Sequence, residues 1–188
     1  MAKKILIVLA VLGVLLGVAA VVVSMQPDTF SVQRSVTVAA PPALVFDQVN
    51  DFQAWDGWSP WKELDPDAKK TVSTPSTGKG ATFNWSGNDK VGEGSLTILE
   101  SRPSELVDIE QVFVRPLAGK ARMVFTFAPE GGGTKVTWTM DGTNNFIGKA
   151  MCMVVDMDAM LRKDFDRGLA NMKSVVEKGG AAQAATAP

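Results

Sequence analysis

Arg34, Gln111 and the tryptophans Trp55, Trp58 and Trp61 are the residues whose types and settings could do chemistry. Gln111 is the clear polar interruption in an apolar phase, between Ile109 and Phe113. Its amide could orient a ligand carbonyl or hydroxyl, or bond a backbone group or trapped water, because a buried unpaired amide costs roughly 1–3 kcal/mol. Arg34 stands in the apolar phase of its own segment, where a guanidinium must find a carboxylate or reach an edge. It could hold a ligand carboxylate, or pair with an acid on a distant helix, Asp164 being a candidate. The three tryptophans recur every third residue, which puts them on one face of a short helical segment. Such a face suits a pocket mouth, a membrane interface or a satellite core cluster. Met153 and Met157 are pliable pocket walls, or plain core.

The absences narrow the chemistry further. The 188 residues include no histidine, and Cys152 is the single cysteine. Ser-His-Asp triads, Cys-His dyads, histidine or thiolate metal sites and intrachain disulfides are thereby excluded. Cys152, flanked by methionines, reads as a small buried hydrophobe. Asp156 with Asp158, and Asp164 with Asp166, are two residues apart on a helix and point away from each other, so they read as a solvated face and not as metal ligands. Gly92-x-Gly94 lies within strands, not at a strand-to-helix turn, and is no dinucleotide fingerprint. No catalytic residue, metal or cofactor is called for. With 19 basic against 20 acidic residues, the chain is not a globally basic nucleic-acid binder.

The elements that must position these residues follow from periodicity. Thr29 to Val38 alternates, with Phe30, Val32, Val36 and Val38 in one phase, as a half-buried strand does. Ala39-Ala40-Pro41-Pro42 ends it, and proline in a first helical turn suits the spacing of Val45, Phe46 and Val49. From Lys69 to Met140 the period is two, broken by Gly-, Asn- and Pro-rich turns. Strands are expected over 68–74, 80–86, 91–100, 105–114, 121–128 and 134–141, about seven with the first, antiparallel because the links are short. Trp85, Leu96, Ile98, Val107, Ile109, Phe125 and Trp138 share the inward phase. Asn145 to Glu177 reads as one long helix whose stripe runs from Phe146 through Met153, Met157, Phe165 and Leu169 to Val176. One sheet with one long helix must bury its apolar face on that helix, an α+β plan.

The ends stand apart. In Ile5 to Val23 only Gly13 and Gly17 are not plainly apolar, and as a helix this run spans about 28 Å, close to the ~30 Å hydrocarbon core. It reads as an anchor, or as a signal peptide cut after Ala20 or Ser24. Lys3 and Lys4 before it keep the N-terminus in the cytoplasm by the positive-inside rule and place the domain outside, on the periplasmic side of an inner membrane. Gly179 to Pro188 has no large apolar residue and reads as a loose tail. The expected organisation is an anchor at 1–26, a folded domain at 27–178 and a tail at 179–188.

Taken in order, several segments resemble a known family. They are Val32-Gln33-Arg34-Ser35-Val36 with Ala40-Pro41-Pro42, Trp55-x-x-Trp58-Ser59-Pro60-Trp61 with Asp65-Pro66, Gly78-x-Gly80-Ala81, and Trp85-Ser86-Gly87-Asn88. Val91-Gly92-x-Gly94, Gly133-Thr134-x-Val136-Thr137-Trp138 and Asp164-Phe165-x-x-Gly168-Leu169 follow. Together they resemble the bacterial polyketide cyclase/dehydrase branch of the SRPBCC superfamily, which also holds START lipid-transfer domains and birch-pollen-type allergens. The resemblance covers about 28–177. It implies a helix-grip fold, a curved antiparallel sheet around the C-terminal helix with an apolar cavity between. It does not imply a reaction.

Three functions fit these readings. The first is a membrane-anchored module binding a hydrophobic small molecule or lipid, with Arg34, Trp58, Trp61, Trp85, Gln111, Phe125, Trp138, Met153 and Met157 as the ligand-binding residues. The cavity itself is expected between Trp85, Phe125, Trp138, Met153 and Met157. The second is a cyclase- or hydrolase-like enzyme using Arg34 or Gln111 to stabilise developing charge. The third is a protein-interaction domain with a filled core.

Overall fold

A computed structural model describes residues 2–186. An apolar helix α1 (Ala2–Ser24) leads into strand β1 (Thr29–Val38), helix α2 (Pro42–Asn50) and a one-turn 3-10 helix (Ala54–Gly57). Six strands follow: β2 (Lys69–Val72), β3 (Thr82–Ser86), β4 (Glu93–Arg102), β5 (Leu106–Arg115), β6 (Gly119–Glu130) and β7 (Gly133–Thr143). Helices α3 (Phe146–Val154) and α4 (Met157–Thr186) close the chain.

The seven strands form one sheet in the order β1-β7-β6-β5-β4-β3-β2, antiparallel throughout. Neighbours in sequence are neighbours in space except for β1, which pairs with the last strand. Pairing aligns the inward residues in rows. Arg34, Trp138, Phe125 and Val107 make one row; Phe30, Gly142, Ala121, Gln111, Leu96 and Phe83 make another, nearer the other end of the strands. Register shifts in the β4–β5 pair leave Val114 of β5 and Leu99 of β4 unpaired, irregularities that bend a sheet locally. At Gly94 a side chain would collide with the Val112 carbonyl and the Trp85 ring, so the glycine is what lets that indole lie across the neighbouring strand.

α4 covers the inner face with Phe165, Leu169, Met172 and Val176, all buried. Polar contacts fasten it to β1 and the residue after it. Arg34 pairs with Asp166, Lys173 Nζ donates to the Thr37 carbonyl at 2.7 Å, and the Ala39 N–H donates to Glu177 at 2.8 Å. α2 closes one end with Val45, Phe46 and Val49, and Phe46 stands edge-on to Phe127 at 5.7 Å.

The single helix expected over 145–177 is two helices. Val155 is extended (φ −121°, ψ 128°), and the Asp156 carboxylate accepts the Ala159 N–H at 2.9 Å, starting α4 afresh. A β-branched residue followed by an aspartate that caps a new first turn is a local stop and restart, which apolar spacing alone does not reveal. Cys152, expected buried, is exposed; α3 has its main packing partner in α1 and not in the sheet. The expected loose tail begins inside α4, whose backbone stays helical to Thr186. Alanine, the best helix former, dominates that stretch. Residues 187–188 lie outside the described residues.

Candidate functional site

The site residues proposed from sequence fall on several elements, and the sheet register decides which of them meet. Trp138 on β7 and Phe125 on β6 are paired positions, and their rings stack at 4.9 Å. From α4, Phe165 lies on the other face of Trp138, nearly parallel, with centroids 3.9 Å apart and planes at 5°. Trp58, just after the 3-10 helix, stands edge-on to both Trp138 (5.9 Å) and Phe125 (6.2 Å), and its Nε1–H donates to the Gln48 carbonyl at 2.9 Å. Trp61 meets Trp138 edge-on at 5.8 Å and is half-buried. The structure therefore gathers Trp58, Trp61, Phe125 and Trp138 into one cluster.

Trp85 is reached through a relay of rings. Its indole lies 6.3 Å from Phe83, which neighbours Trp55, which stands edge-on to Phe125 at 6.3 Å. The Trp85 Nε1–H donates to the Val91 carbonyl at 2.9 Å, a bond that ties the ring to the link between β3 and β4. Met153 does not join: it is 49% exposed on α3. Met157, in the first turn of α4, is partly buried. The expected five-residue lining is thus not assembled. The space between Trp138 and the helix is taken by Phe165, a residue the sequence reading placed on the helical stripe and not in the site. Its place in the Asp164-Phe165-x-x-Gly168 stretch was the available signal. A side chain at Gly168 would press on Pro60 and Trp138, so this glycine is what lets the helix come close enough to stack.

Arg34 faces inward opposite Trp138 and reaches the rim. Its Nε and terminal nitrogen donate to the two carboxylate oxygens of Asp166 at 2.7 and 2.6 Å, a bidentate pair. The partner is Asp166, not the Asp164 candidate, because the restart at Asp156 resets the helical phase. The hydrogen bond from Arg34 holds the Asp166 carboxyl below its ordinary range, and the same bond raises the guanidinium. The remaining aspartates also have their own work: Asp158 pairs with Arg162 at 2.6 Å and Asp164 with Arg167 at 2.8 Å.

Gln111 is 8% exposed, and its Oε1 has no hydrogen-bond partner among the described residues. Trp138 Nε1 is buried and unpartnered in the same sense. Beside Gln111 on the paired strand is Ala121, also buried, a small side chain in a wall of large ones. The next position in that row, Gly142, yields its space to the Phe30 ring. An unpaired amide next to a small residue is a place where a polar atom of a guest would be stabilised.

Two depressions stand out, and both lie on the other face of the sheet. The larger, about 580 Å³ and open, is bordered by outward residues including Ser31, Glu110, Lys120, Arg122 and Asp141. Its cations are largely spoken for: Arg122 Nε donates to the buried Asp108 carboxylate at 2.8 Å, and Lys120 pairs with Glu110 at 3.3 Å. The smaller, about 280 Å³, is bordered by Thr71, Asn84, Ser86 and Ser95.

A family model described as polyketide cyclase/dehydrase and lipid transport matches residues 29–177. No curated protein matches the chain by sequence. Solved structures share the fold at low identity. A Mesorhizobium loti protein, MLL2253, is 13% identical over 79% of this chain and 98% of its own, with a TM-score of 0.59. The Aha1 dimer from Colwellia psychrerythraea is 14% identical over 79% of this chain and 96% of its own, TM-score 0.57. The di-domain aromatase/cyclase StfQ of the steffimycin biosynthetic pathway is 12% identical over 82% of this chain and 52% of its own, TM-score 0.56.

Proposed function

The chain belongs to the polyketide cyclase/dehydrase and lipid transport family, and we propose that within it this protein is a membrane-tethered binding module for a hydrophobic small molecule or lipid. The observation that carries the reading is Gln111. Its buried, unpartnered carbonyl oxygen beside Ala121 interrupts a row of apolar inward residues that includes Phe30, Leu96 and Phe83. A guest carrying a hydroxyl or amide donor removes that penalty, and burial of its apolar body supplies roughly 25 cal/mol per Å². In the described state the wall is closed by its own aromatic side chains, so a guest enters by displacing them. α1 supplies the tether: Lys3–Ser24 is long and apolar enough to cross a bilayer. With Lys3 and Lys4 at its start, the domain stands on the extracytoplasmic side.

The test is native mass spectrometry of the full chain released from nanodiscs made with membranes of the expressing cell. The reading expects a hydrophobic adduct that is retained by the wild type and lost in Ala121→Leu, with the far-ultraviolet circular dichroism unchanged. A wild-type chain that carries no adduct and takes up no 1-aminoanthracene sinks it.

A second reading is favoured by the stack of Phe165, Trp138 and Phe125, which fills the interior: a protein-interaction domain that uses its outer surface. It predicts no adduct and no probe uptake. An enzymatic role for Arg34 is weakened by its bidentate engagement with Asp166, which already occupies its Nε and one terminal nitrogen.

A further inference from the structure

α3 is turned inside out. Its single charged residue, Lys149, is 8% exposed, while Phe146, Ile147, Met151, Met153 and Val154 are between 42% and 86% exposed. In water this arrangement is backwards. Burying an ammonium costs several kcal/mol unless it is paired, and apolar side chains left in water forfeit the gain from burial. The lysine is paired. Lys149 Nζ donates to the Ser24 carbonyl at 3.3 Å and forms an ion pair with Asp28. Both partners belong to the exit from α1. Nearby, the Asn144 N–H donates to the Asp28 carbonyl at 2.8 Å, so the end of β7 is tied to the same segment. Asn145 caps α3 by accepting the Gly148 N–H at 2.8 Å.

These contacts set the height of α3. α1 has 23 residues. At ~1.5 Å per residue it is slightly longer than the ~30 Å hydrocarbon core, so its Ser24 end emerges at the lipid–water boundary. α3 is fastened to that end. We propose that α3 lies in that boundary, with Phe146, Ile147, Met151 and Val154 inserted among the lipid chains. The domain then holds the membrane twice, by a span and by an interfacial helix. Two observations select lipid over a protein partner. The exposed apolar residues of α3 stand on a helix that packs against α1, whose apolar span is nowhere buried in the protein. Its one cation is spent on Asp28, so the outward surface offers apolar contact without charge. Insertion is therefore independent of anionic lipid, unlike that of basic amphipathic helices.

The proposal rests on α1 being in the bilayer, and the experiment separates the two. Nitroxide labels are placed singly through Leu12→Cys, Val154→Cys and Thr126→Cys in a Cys152→Ser background, in the full chain in phosphatidylcholine nanodiscs. Oxygen and a water-soluble nickel chelate then report lipid and water exposure. The expected result is an oxygen-to-nickel accessibility ratio at Val154 several-fold above that at Thr126, on the outer sheet face. Replacing part of the phosphatidylcholine by phosphatidylglycerol should leave it unchanged. A lipid-exposed Leu12 with a water-exposed Val154 overturns the seat of α3 alone. A water-exposed Leu12 overturns the span and the proposal with it. A Val154 label shielded from both reagents assigns the surface to a protein or a second copy of this chain, and overturns lipid.

Discussion

α3 and α4 carry one rhythm of apolar residues from Phe146 to Val176, yet they spend it differently. Phe165, Leu169 and Met172 are at most 1% exposed, whereas Phe146, Ile147 and Val154 are 55%, 56% and 86% exposed. The α4 stripe meets a sheet; among the described residues α3 has its main packing partner in α1. Amphipathic spacing thus states which side chains avoid water, not what covers them. The covering can be a sheet, which demands fitted shapes, or lipid, which does not.

The largest test of that contrast is truncation on either side of it. Trp138→Ala removes the ring stacked on Phe165 and should cost about 3–5 kcal/mol in urea unfolding of the full chain in detergent micelles. Phe146→Ala on α3 should stay within about 0.5 kcal/mol in the same assay. Equal losses would mean that α3 packs on protein after all. Next is the joint between the two helices. Asp156→Ala removes the carboxylate that caps α4 and should cost about 1 kcal/mol, while Asp156→Asn should recover most of it. No loss in the alanine variant would show that the restart at Asp156 does not separate the helices.

The covered side has a flaw of its own in Gln111. Gln111→Leu should raise the stability of the guest-free protein by about 1 kcal/mol, since it deletes an unpaired buried carbonyl. Thermal unfolding with and without added 1-aminoanthracene reads this, and a destabilised variant would place a water or a partner on the amide. The smallest effect concerns the ion pair that fastens α4 to β1. The folded-state pKa of Asp166 lies below its unfolded value, chiefly through the Arg34 hydrogen bond. Its contribution is therefore fully present above the ordinary carboxylate value of about 3.9 and is lost as pH falls through the depressed one. The stability gap between wild type and Asp166→Asn should be constant from neutral pH to about that value and shrink below it. A gap that instead closes at alkaline pH would exclude this pair as its source.

Much of the fold was legible because its signals are local. The alternation of Phe125 with Thr126 and of Trp138 with Thr139 is dictated by the pleat, which sends successive side chains to opposite faces. The apolar run to Val23 needs no partner to be recognised. The candidate site was legible only in part. Trp58, Trp61, Phe125 and Trp138 come together because β6 and β7 pair in the expected phase. Met153 leaves because one residue, Val155, turns extended and swings α3 off the sheet.

The residues alone therefore determined the α+β plan, the seven strands, their inner faces, and an N-terminal helix apolar enough to span a bilayer. All of these depend on periods of two and 3.6 residues that neighbouring side chains impose on one another. Tertiary structure decided the rest. Whether the interior stays open is a matter of volume, and Phe165 of α4 stacking on Trp138 at the sheet's inner face closes it. Whether Arg34 finds Asp164 or Asp166 depends on how α4, started by the Asp156 cap, is rotated against β1, a strand far from it in the chain. And the surroundings of the apolar residues on α3 depend on Lys149 reaching Ser24 and Asp28, a long-range contact that fixes a short helix to the exit from α1.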